Sequence, residues 1–175
     1  TVIDVSWHHR YTNGLYHYHL MAKVDEWEIV AEESVIPVGE PYRRAPGPWT
    51  SFGYQQGEKP GRLVAERKFD MDIQDQSQLL AKTEWDKDSR LTVTAMVDGG
   101  REVALLENAR SSSWWLTSGA DLEGAQRLDS IRLVLEESED RTMEGREVGM
   151  NLLWILLRRH TVLDEAPFES VEVRL

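Results

Sequence analysis

"RLTVTAMVDGGREVALLE", residues 90–107, is the stretch on which the fold turns. Leu91, Val93, Ala95 and Val97 alternate with Thr92, Thr94 and Met96, so one face of an extended segment is apolar and the other mostly polar. Asp98-Gly99-Gly100 is turn chemistry, and residues 101–107 read as the return strand of a hairpin. A helix competes over 101–109 because the run holds Ala104, Leu105 and Leu106. The turn before it favours the strand.

Working outward, the same period of two recurs. "SIRLVLE" (130–136) puts Ile131, Leu133 and Leu135 on one face with Arg132 opposite, and "RLVAERKF" (62–69) and "SVEVRL" (170–175) behave alike. "TVIDVSW" (1–7) and "LYHYHLMA" (15–22) read as strands, and "EWEIVAEESVIPV" (26–38) as two short ones. "GMNLLWILLRR" (149–159) is apolar on both faces, a central strand or a buried helix, and the all-β context favours the strand. Residues 39–61 hold four of the six prolines and read as turn material, and "EESEDRTMEGRE" (136–147) as a solvated loop. About nine to eleven short strands in a chain this long predict one antiparallel β-sandwich, a jelly roll, spanning residues 1–175.

Composition narrows the function. Acidic residues outnumber basic ones 31 to 20, giving a net charge of -11. The basic pairs Arg43-Arg44 and Arg158-Arg159 are too short to follow a phosphate backbone, so nucleic acid is excluded as the expected partner. With no cysteine there is no disulfide framework, thiol nucleophile or thiolate metal site. "MNLLWILL" (150–157) is too short to span a membrane. The expectation is a soluble chain, secreted or extracytoplasmic compartments included. Beginning at Thr1 rather than Met, it fits a mature form or a domain excised from a larger enzyme or assembly.

Three groups of residues bear on chemistry. In "SSSWWLTSG" (111–119), Trp114 and Trp115 stand between serines and a Thr-Ser-Gly turn. Indole faces stack on the C–H patches of sugar rings, and flanking hydroxyls and amides bond sugar hydroxyls; Asn108, Ser111, Ser112, Ser113 and Thr117 are placed for that. Adjacent residues in an extended segment point to opposite sides, so one Trp is expected in solvent and the other in the core. "PWTSFGY" (48–54) is a second aromatic loop, and Trp49, Phe52 and Tyr54 are candidates to complete a platform with the first.

The second group is histidine. Four of the five lie in "HHRYTNGLYHYH" (8–19). His17 and His19 share a strand face about 6.6 Å apart, a spacing from which both reach one divalent transition metal, with His8 or His9 joining from a neighbouring strand. Cupins, also jelly rolls, use a His-x-His pair with a carboxylate a few residues on; Asp25 and Glu26 stand too far along for that pattern. The bland alternative is a set of hydrogen-bonded histidines on a polar face. The third group is Asp70, Asp72 and Asp75 in "FDMDIQDQ", three oxygen donors of the kind calcium takes, though without the glycine and closing glutamate of a calcium loop. No nucleophile elbow, phosphate-binding glycine loop or His-Glu-x-x-His motif occurs.

From residue 62 onward the order of elements resembles the galactose-binding-domain-like jelly roll of many carbohydrate-binding modules. The likeness rests on "AERKFDMDIQDQSQLLAKTEW", "SRLTVTAMVDGGREVALLE", "RLDSIRLVLEE" and "LLWILLRR". It covers about residues 62–159 and leaves 1–61 as an N-terminal elaboration. The resemblance implies binding without catalysis, with ligands on end loops or a concave sheet face, and frequently a structural calcium. Three readings stay open: a module binding carbohydrate or another small polar ligand through loop aromatics, a metal-dependent cupin-like enzyme using His8, His17 and His19, and a protein-assembly domain whose interface core is the same aromatics.

Overall fold

The structure, a computed structural model, describes residues 16–19, 26–32, 41–44, 49–73, 78–110, 114–140 and 146–159, with the backbone alone for 16–19, 31, 32, 44, 158 and 159. The hairpin around Asp98-Gly99-Gly100 is present: β7 runs Ser89–Val97 and β8 Arg101–Arg110, antiparallel. Leu91, Val93, Ala95 and Val97 are fully buried. Sliding β7 by one residue would put them all in water, at about 1.5–3 kcal/mol for each large aliphatic, so the pattern fixes the register.

β7 lies in a five-stranded antiparallel sheet of order β2-β5-β10-β7-β8, with β2 Glu28–Glu32, β5 Arg62–Asp72 and β10 Arg127–Glu137. The facing sheet has six strands. Its path is β3 (Tyr42–Arg44), β4 (Thr50–Gln55), β11 (Glu147–Arg159), β6 (Gln78–Trp85) and β9 (Leu116–Asp121), with β1 (Tyr16–His19) pairing the far end of β11. The strands between residues 16 and 55 thus belong to both sheets of the sandwich.

The core lies between the sheets. Leu63, Ala65, Leu91, Val93, Ile131, Leu133 and Leu135 come from one, and Phe52, Leu79, Ala81, Met150, Ile155 and Leu157 from the other. Trp27, just before β2, packs its ring on Phe52 at 5.2 Å between centroids, and its carbonyl accepts a bond from Arg43 Nη1.

Two expectations change. Residues 39–61 are not simply turn material: they hold β3 and β4. β4 shows no alternation because Thr50 to Tyr54 are all covered, the outward Gly53 by the Tyr42 side chain. Thr117, Ser118 and Gly119 are not a turn but the body of β9. Gly119 is there because a Cβ would sit 2.9 Å from the Leu79 carbonyl and run into the Leu80 side chain. "TVIDVSW", "SVEVRL" and the second strand expected within 26–38 lie outside the described residues.

Candidate functional site

The outer face of the six-stranded sheet follows from register. Inward residues run Thr50, Leu152, Thr83 and Leu116 across β4, β11, β6 and β9. One step along, the outward row reads Ser51, Asn151 and Glu84, leading to Trp115 just ahead of β9. One step the other way it reads Trp154, Lys82 and Thr117, flanked by Trp49 at the entry to β4.

Trp49 and Trp115 meet on this face edge to face, with ring centroids 6.0 Å apart and planes at 61°. Edge contact lets each ring restrain its neighbour and leaves a face of each available. Both are half-buried. Trp114 is 79% exposed, so the adjacent tryptophans do divide between solvent and a packed position, although Trp115 packs on Trp49 rather than in the core.

Trp154 was missed in the sequence. A bulge between Leu152 and Trp154 inserts Leu153 into β11 and brings Trp154 into register with outward Lys82. The signal was present: a strand apolar on both faces, here with Ile155 and Leu157 in the core and Trp154 and Leu156 outside.

Polar groups stand among these rings. Ser51 Oγ donates to Asn151 Oδ1 at 2.6 Å. Lys82 and Glu84 are half-buried, and neither side chain makes a hydrogen bond or ion pair with another described residue. Two residues apart on one strand, an ammonium donor and a carboxylate acceptor are held ready without being consumed. Thr117 is exposed beside Lys82.

Other candidates stand elsewhere. Tyr54 is 2% exposed and its hydroxyl donates to Glu137 Oε2 at 2.6 Å, so it is a core residue with no face for a ligand. Phe52 is fully buried. Asn108 is exposed on β8, in the other sheet, at a bulge where φ is +44° and its N–H donates to Thr92 Oγ1. Ser111, Ser112 and Ser113, Asp75, His8 and His9 lie outside the described residues. His17 and His19 fall on β1 opposite Arg158 and Leu156.

Asp70 is ion-paired to Arg127, and Asp72 ends the same strand. Among the described residues, no three His, Asp or Glu side chains group closely enough to hold a metal ion. No described helix is long and apolar enough to cross a membrane.

No protein-family model matches the chain, and no curated protein does. Solved structures do. TmCBM61 in complex with beta-1,4-galactotriose is similar over 78% of this chain and 91% of its own, with a TM-score of 0.53 and 10% identity. A family 29 carbohydrate-binding module matches over 82% and 88%, with a TM-score of 0.48 and 9% identity. The family 11 module from Clostridium thermocellum, in complex with a beta-1,3-1,4-mixed-linked tetrasaccharide, matches over 81% and 94%, with a TM-score of 0.47 and 12% identity. The likeness to the first is one of fold: this chain has the β-sandwich jelly roll of carbohydrate-binding modules.

Proposed function

We propose that the protein binds a carbohydrate chain, without catalysis, on the outer face of its six-stranded sheet. The carrying observation is the contact of Trp49 with Trp115, brought from separate segments onto one sheet face. One neighbour supports the reading: TmCBM61, which shares the fold, is seen in complex with beta-1,4-galactotriose. On this face, too, Lys82 and Glu84 are uncommitted to other described residues.

In the binding reaction, Trp49, Trp115 and Trp154 offer apolar ring surface to the C–H side of sugar rings, and Trp114 extends it at the edge. Lys82 donates to sugar hydroxyls; Glu84 accepts from them. Thr117 and the Ser51–Asn151 pair do either. This differs from a pure loop platform, since most of the surface belongs to strands. A site built on strands is held more rigidly than one on loops, which lowers the ordering cost of binding.

The test is calorimetry and tryptophan fluorescence against soluble β-galactans, β-glucans and mannans. Trp49→Ala and Trp115→Ala should each weaken binding about tenfold or more, the ~1.4 kcal/mol or greater that a stacked aromatic supplies. Circular dichroism should stay unchanged. Binding that survives both substitutions, or no response to any glycan in the set, would overturn the reading.

A further inference from the structure

The outer face of the five-stranded sheet carries a different pattern. Register aligns Val30, Val64, Val134 and Thr92 in one row across β2, β5, β10 and β7. Val30 is 54% exposed, and the other three are half-buried. Two residues to one side of the row stand Glu66 and Arg132; two to the other stand Arg62 and Glu136. Within the chain Arg132 Nη2 lies 3.0 Å from Glu66 Oε2, and Arg62 Nε 3.1 Å from Glu136 Oε1. The signs alternate around a square, negative then positive along β5 and positive then negative along β10.

Such a square is complementary to itself. A two-fold axis along the valine row carries each strand onto the same strand of a second copy, running in reverse. Glu66 then meets the second copy's Arg62, and Arg132 meets its Glu136, each contact made twice. The valine row packs on itself. Packed sheets stand about 10 Å apart and cross at about 30°, within reach of two long opposed side chains. Crossing displaces facing residues least at the centre of the row, which is where β5 and β10 lie. Every ion pair within the chain survives, and each charge gains a partner of opposite sign in the second copy.

We propose that this face is a homodimer interface, occupied by a second copy of this chain. The aromatic faces of the two copies then point outward on opposite sides.

Sedimentation velocity on the purified full chain, up to about 500 µM, tests it. The expected result is a reversible dimer that loosens with salt, as exposed charge pairs do. Val30→Lys and Val134→Lys should each weaken it about tenfold or more, by placing an ammonium in the apolar row of both copies. Inverting the square with Glu66→Arg, Arg132→Glu, Arg62→Glu and Glu136→Arg should give a chain that pairs with itself and not with the wild type. Val30→Lys sits at an exposed edge position that tolerates change, so the test does not depend on the fourfold variant folding. A chain that stays monomeric throughout overturns the proposal. So does a dimer unmoved by both lysines, or an inverted chain that mixes freely with the wild type.

Discussion

Glu137 shows how a single buried carboxylate sorts the aromatics. It is 8% exposed and accepts from Tyr54 Oη at 2.6 Å, from the Gly61 N–H at 2.7 Å and from Gln56 Nε2. The Tyr54 hydroxyl therefore holds the sandwich together instead of touching a ligand. Tyr54→Phe leaves a buried carboxylate short of a donor and should cost about 1–3 kcal/mol of stability in urea denaturation, with glycan affinity unchanged. Trp49→Ala should do the reverse, losing affinity with little change in denaturation midpoint. From sequence, Tyr54 and Trp49 looked equivalent, two aromatics in one polar stretch. Their difference is a matter of which face each takes, Trp49 just ahead of β4 and Tyr54 within it, and a strand buried on both sides leaves no alternation to read. Gly53 shows the same crowding: a Cβ there would stand 2.6 Å from the Val148 carbonyl, so Gly53→Ala is expected to lower the melting temperature as well.

At the scale of the element, the β7–β8 turn is more than a reversal of chain. Asp98 sits at φ +52° and Gly99 at +77°, the left-handed conformations that an Asp-Gly turn requires. Asp98 Oδ1 accepts the N–H groups of Gln126 and Arg127 at 2.8 and 3.0 Å, and Oδ2 pairs with Arg101 at 3.0 Å. The Gly99 N–H in turn donates to Asp129 at 2.6 Å. The turn is thereby stitched to the start of β10. The Gln126 N–H, with those of Arg127 and the Arg101 guanidinium, holds the Asp98 carboxyl below its ordinary 3.8. Asp98→Ala should lower the melting temperature and speed hydrogen exchange at residues 126 and 127 first. The hairpin itself was legible because its alternation, its β-branched residues and its turn agree. The stitch was not, since nothing in a sequence places residue 98 beside residue 126. β11 divides in the same way: double-sided apolarity left a central strand or a buried helix and the all-β context favoured the strand, but the bulge that turns Trp154 outward follows from pairing with β6.

For the whole molecule, acid is the informative variable. Burial raises the Glu66 carboxyl, but bonds from Ser130 and Arg132, with the charges of Arg132 and Lys68, outweigh it and bring it below the ordinary 4.5. Carboxyls lowered in the folded state, as Glu66 and Asp98 are, stabilise it fully above their unfolded values, and that contribution fades as pH falls through the folded ones. The urea midpoint should therefore drop as pH falls below 4.5 for Glu66 and below 3.8 for Asp98. The drop should be smaller in Glu66→Gln and in Asp98→Asn, which no longer titrate at those positions. The sequence by itself determined the β-sandwich, because burial energy tied to a two-residue period leaves few alternatives once a register is set. It also marked the tryptophans near residues 49 and 114 as candidates for a binding surface. The tertiary structure decided which of them share a surface, that Tyr54 belongs to the core, and that Trp154, Lys82 and Glu84 join the face. Those outcomes depend on pairings between strands far apart in the chain, and a local pattern carries no information about which distant strand lies alongside.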